Sequence, residues 1–392
     1  MKEESKQVLR ILEALKQASK ELQTNAASKL LDSDSDSPSP AIKALLELGG
    51  AESDSLLAAD PQLNALTGHL SDLKSLISTS EVKHGRFTSF LARRVRSHEI
   101  SRLAGSVEVE IQAWIDRETI VSLTSQLRRF RCLDPAPHEE SVIEENLINF
   151  RDTLARGFDL SLQDLLLRSR TFAELEWVVC SGDCTKGVRQ NAAYALKELV
   201  LFNKDVFVGQ VLTGGIIKAL ASMGSKWSME VLSSLIKAIR SPLVDEIHSN
   251  GGIPIIISYL QSSQDSEFNA MAMDCILEIA YFGRKEAIEA MLKEGLIKRL
   301  VEMQRSELGG DLIDQSETGK SGKKNEKMLL AKHHPFASCV ARFAVQMEVG
   351  EGLRQREKRA MKQEVLKRVR ETSASDAETA TIIAEVLWGS SP

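Results

Sequence analysis

The sequence predicts an all-α protein: an N-terminal helical bundle followed by an α-solenoid of short repeated units. Three observations carry this. Leu, Ala, Ile, Glu and Lys dominate, and aromatics make up only 5% of the chain. That balance favours helices over sandwiches built from β-branched and aromatic residues. The N-terminal third carries long apolar seams at helical spacing. The C-terminal half repeats with a period of 40 residues, the mark of stacked supersecondary units.

The bundle is assigned to residues 1–130. A first helix is expected from Glu3 to Leu31, with Val8, Ile11, Leu12, Leu15 and Leu22 on one face. The stretch Ser33 to Pro40 alternates acid and serine and then carries two Ser-Pro steps, so it has no means of burying a core. It is read as a disordered loop, with Ser33, Ser35, Ser37 and Ser39 as candidate phosphorylation sites. A short helix from Ala41 to Leu48 stops at Gly49-Gly50. Leu63, Leu66, Leu70, Leu73 and Ile77 step by 3, 4, 3 and 4 residues, a single seam as in a bundle or coiled coil. A third long helix is expected from Ile100 to Phe130 through Leu103, Val107, Ile111, Trp114, Leu123 and Leu127. Pro135 and Pro137 mark a boundary, and residues 131–158 are read as linker and connecting helix.

The repeats are assigned to 159–389. NAAYALKELV from Asn191, VLSSLIKAIR from Val231 and MAMDCILEIA from Met271 stand 40 residues apart. Ala192, Leu232 and Ala272 correspond, as do Leu196, Ile236 and Ile276, and Leu199, Ile239 and Ile279. Each segment is followed by a helix ending in glycine and then an apolar helix: TGGIIKAL, NGGIPIIISYL and EGLIKRLVEM. Glycine there is expected to form the helix C-cap and tight turn. ASCVARFAVQ from Ala337 is a fourth copy, displaced by an insertion at 308–327 rich in Gly, Ser, Asp and Lys. TFAELEWVVC from Thr171 reads as the apolar helix of an earlier, degenerate repeat.

This pattern resembles the armadillo repeat, a three-helix unit of about 42 residues. The N-terminal region is similar in style to the helical bundle that precedes the U-box in plant ubiquitin ligases with armadillo repeats. No U-box sequence lies between the two parts, because the linker around Cys132 to Pro137 is too short to fold one. The resemblance therefore does not imply ligase activity. In armadillo proteins that grip extended peptides, third helices line a concave groove with a ladder of Asn side chains. The resemblance puts Glu198, Ala238, Glu278 and Arg342 at those positions, flanked by Gln190 and Lys197. Without the Asn ladder, an importin-like grip is not implied, whereas the acids suit a basic partner.

The remaining features set limits. Fifty basic against 55 acidic residues give a formal charge of -5, which argues against a globally basic nucleic-acid binder. The five cysteines, Cys132, Cys180, Cys184, Cys275 and Cys339, lie scattered in apolar helical runs and read as free thiols in a reducing compartment. Cys180 and Cys184 have poor zinc spacing. The N-terminal segment lacks signal-peptide features, and no run of about 18 apolar residues spans a membrane. The expected location is the cytoplasm, extending to the nucleus. Thr318-Gly-Lys-Ser321 resembles the end of a phosphate loop, but Asp314 stands where the motif wants glycine. His333 and His334 are adjacent, so a helix would point them apart. The basic stretch from Arg354 to Arg370 reads either as a solvated helix face or as a surface for phosphate, acidic protein or nuclear import.

No catalytic, cofactor-binding or metal residue is assigned, and no cofactor or small-molecule substrate is expected. The expected function is a non-catalytic protein–protein interaction scaffold or adaptor. A substrate-recruiting component of a ubiquitin-ligase complex and a transport adaptor stand as alternatives.

Overall fold

In the computed structural model, the described residues are 12–20, 23, 63–82, 90–132, 137–262, 265–306 and 336–388; they contain helices and no strand. The Ser33–Pro40 serines, the Gly49-Gly50 stop, the 308–327 insertion, Thr318–Ser321 and His333-His334 lie outside them. The helices are α1 (Asn64–Val82), α2 (Phe90–Cys132), α3 (Pro137–Ala155), α4 (Leu160–Ser169), α5 (Thr171–Cys180) and α6 (Lys186–Phe202). They continue with α7 (Lys204–Thr213), α8 (Ile216–Ser222), α9 (Lys226–Ile239), α10 (Ser241–Ser249), α11 (Gly252–Ser262) and α12 (Ser266–Phe282). The last are α13 (Lys285–Lys293), α14 (Leu296–Arg305), α15 (Cys339–Val349), α16 (Gln355–Thr372) and α17 (Asp376–Trp388).

The chain divides into two compact units. In the first, which takes residues up to 129 and 159–170, the sequence seams make one core. Leu12 and Leu15 from helical residues 12–20, Leu63, Leu66, Leu70 and Leu73 at α1, and Leu103, Val107, Ile111 and Trp114 from α2 are all buried together. The expected helix from Ile100 starts earlier: α2 is continuous from Phe90, because residues 90–99 hold neither Gly nor Pro.

The second unit takes 130–158 and the residues from 171 onward. Its helices pack in three sets. α3, α6, α9, α12 and α15 each pack on the next. So do α5, α8, α11 and α14, and likewise α7, α10, α13 and α16. Within each repeat the second-set helix packs on the first-set helix: α5 on α6, α8 on α9, α11 on α12 and α14 on α15. The 40-residue register explains this. Ala192, Leu232 and Ala272 are buried at equivalent points, as are Leu196, Ile236 and Ile276. Each of these helices packs both on its own repeat and on a neighbouring one.

Two placements differ from the sequence reading. The sequence marks residues 131–158 as linker and connecting helix; in the structure their helix, α3, packs along α6 as a member of the first set. Its buried Ile143, Leu147, Phe150 and Leu154 provide the stripe for this. The approach is close: a Cβ on Gly187 would come within 2.0 Å of Glu144 Oε1. The segment 159–170, read as the start of the repeats, groups with the first unit. The glycine turns also split into two kinds. Gly251 and Gly295 take positive φ of 68° and 77°, which only glycine adopts without cost. Gly214 has φ -91°, and there the need is space: a Cβ would lie 2.0 Å from Glu176 Oε1, which accepts a 2.8 Å hydrogen bond from Gly215 N–H.

Candidate functional site

The site predicted from sequence lies on the set α3–α6–α9–α12–α15, on the sides of these helices left after their apolar stripes are buried. Lys197, Glu198, Ala238, Glu278 and Arg342 are all half-buried there, as is Gln190 on α6. None is fully exposed, because stacking sinks each helix between two neighbours.

These side chains are largely engaged with one another. Lys197 Nζ lies 3.1 Å from Glu198 Oε1 and 5.3 Å from the centre of the Tyr194 ring. Arg151 on α3 sits over the same ring at 4.8 Å, and Tyr194 Oη donates a 2.6 Å hydrogen bond to Glu230 Oε2 on α9. Burial, followed by the hydrogen bond to Glu230, pushes the Tyr194 phenol up to about 12. Further along, Lys237 on α9 pairs with Glu278 on α12 at 3.3 Å, and Asp274 on α12 pairs with Arg342 on α15 at 3.8 Å. Every consecutive pair of helices in the set is thus bridged by polar groups. Sequence register located Lys197, Glu198, Glu278 and Arg342, but it missed Tyr194, Glu230, Lys237 and Asp274, which complete the bridges. Of these, Glu230, Lys237 and Asp274 are exposed, the last two with side chains 59% and 64% open.

The chain also holds thiols. Cys184, Cys275 and Cys339 are buried and Cys180 is exposed, all four unpaired by disulfide. Burial raises Cys275 and Cys339 to about 12, so both are neutral thiols at physiological pH rather than nucleophiles. Among the described residues no group of three or more His, Cys, Asp and Glu is placed to hold a metal ion, and no single helix is long and apolar enough to cross a membrane.

No protein-family model matches the chain, and no curated protein matches it. Among solved structures it is similar to two engineered proteins. The first is 16% identical with a TM-score of 0.42, covering 69% of this chain and 95% of that one. The second is 16% identical with a TM-score of 0.40, covering 97% of this chain and 98% of that one.

Proposed function

We propose that the second unit forms an armadillo-type α-solenoid and that the protein is a non-catalytic scaffold, binding a partner protein along the α3–α6–α9–α12–α15 face. The observation that carries this reading is the stacking of helices at 40-residue spacing so that equivalent polar positions fall on one continuous surface. Repeat proteins use such surfaces to bind extended partners. Exposed charge of both signs, Lys237 beside Asp274, supports a protein partner over a polyanion, which would meet acids as often as bases. The test is proximity labelling in cells with the wild-type chain and with Lys237→Glu/Asp274→Lys. The reading expects the variant to fold and to lose a defined set of labelled proteins. A folded variant with an unchanged labelled set would overturn it.

A further inference from the structure

Helix α16 carries a different kind of surface. Between residues 354 and 371 it has eight basic and three acidic residues in a chain whose formal charge is -5. The fold sorts these cations into two groups. Lys358 Nζ donates to the Gly350 carbonyl at 2.8 Å, and Lys362 pairs with Glu348 at 2.7 Å. Arg368 bonds Glu364 at 2.8 Å and the Leu292 carbonyl at 3.3 Å. These three fasten the helix to α13 and to the end of α15. Met361, Val365 and Val369 on the same side are buried. The other five, Arg354, Arg356, Arg359, Lys367 and Arg370, are exposed.

The outward group is short of counter-charge. Glu357 is spent on capping, accepting a 2.8 Å bond from Arg354 N–H, and Glu364 is spent on Arg368. Among the described residues, Glu371 lies 3.9 Å from Lys367 with both side chains more than half exposed, a contact worth little, and Glu364 shares its charge between Arg368 and Lys367. A helix that only needed solubility would interleave acids on its outer side. This one keeps its acids for structure and leaves a cationic stripe.

From Arg356 to Arg370 the stripe is about 21 Å long at 1.5 Å per residue. A long polyanion matches it less well, because outside residues 354–371 the chain carries 52 acidic against 42 basic residues. A segment as long as the stripe does match. We propose that the outer face of α16 docks a short acidic amphipathic helix of a partner protein, its carboxylates on one side meeting Arg356, Arg359, Lys367 and Arg370. A helix lying alongside presents its side chains at the same axial rise, so several pairs form at once. The site shares no residue with the face described under Proposed function, and either stands without the other.

The test uses the full chain and three labelled probes of equal charge, read by fluorescence anisotropy. The first is a helical peptide of about 15 residues with all its glutamates on one side. The second has the same composition with glutamates spread around the helix, and the third is a short DNA duplex. The single-sided peptide is expected to bind about tenfold tighter than the other two. The variant Arg356→Gln/Arg359→Gln/Lys367→Gln/Arg370→Gln, which keeps helix propensity, is expected to lose about tenfold with its thermal unfolding unchanged. Should that variant unfold, Arg356→Gln/Arg370→Gln is expected to show a smaller loss in the same direction. Equal binding of both peptides, tighter binding of the duplex, or full affinity in a folded variant would overturn the proposal.

Discussion

Tyr194 Oη donates a 2.6 Å hydrogen bond to Glu230 across two stacked helices, and Arg151 from a third helix lies over the same ring at 4.8 Å. One side chain therefore joins α3, α6 and α9. Tyr194→Phe keeps the ring under Arg151 and removes only the hydrogen bond. Because Glu230 is exposed and regains water, the expected cost is modest, about 0.5–1.5 kcal/mol by chemical denaturation.

The same pair gives a pH signature. The folded phenol stands at about 12, above its ordinary value of about 10. Stability from this group is fully present below about pH 10 and is lost as pH rises through about 12. The expected outcome is a steeper alkaline loss of stability in the wild type than in Tyr194→Phe. Parallel curves between pH 9 and 12 would mean that Tyr194 is not held by Glu230.

Arg240 ends α9 with φ 69° and ψ -141°, a backbone conformation that glycine adopts and other residues reach only with strain. Its guanidinium makes an exposed 3.2 Å pair with Glu351. Comparing Arg240→Gly with Arg240→Ala removes the ion pair from both and isolates the backbone. Glycine is expected to be the more stable by about 1 kcal/mol, after its greater unfolded-chain freedom is subtracted. Equal midpoints in urea would show that position 240 carries no such strain.

The turn after α15 is docked on the end of α12. Glu351 N–H and Gly352 N–H donate to the Tyr281 carbonyl at 2.8 and 3.2 Å. A Cβ on Gly352 would lie 2.0 Å from the Gly283 carbonyl oxygen, and backbone has no rotamer with which to give way. Gly352→Ala is expected to cost about 2–3 kcal/mol, from overpacking and the strained hydrogen bonds. Gly182→Ala, with open space around it, is expected to be near neutral.

Thiol labelling separates the cysteines by burial. Cys180 is exposed, while Cys275 and Cys339 are buried and raised to about 12. Mass spectrometry after brief alkylation at neutral pH should find Cys180 modified and the other two protected until the chain is unfolded. Modification of Cys275 at the rate of Cys180 would show that the core between α9 and α12 is open.

The helical fold was readable because its signals are local. The seam from Leu63 to Leu73 and the recurrence of Ala192, Leu232 and Ala272 need only a count along the chain. α3 carries the same kind of stripe in Ile143, Leu147, Phe150 and Leu154, but no glycine turn precedes it to mark it as a repeat helix. The bridges were not readable. Tyr194 and Glu230 are 36 residues apart and Lys237 and Glu278 are 41, so no constant offset links donor to acceptor. The requirement for glycine at 352 depends on the backbone of Gly283, which no local pattern announces.

The central claim is that the α3–α6–α9–α12–α15 face meets a partner protein. A photo-crosslinking side chain placed at Ala238, half-buried in the middle of that face, tests it directly against one placed at Ser249, exposed at the end of α10. In cells the account predicts a discrete crosslinked protein from position 238 and none of that species from 249. Crosslinks from 249 alone, or the same species from both positions, would contradict it.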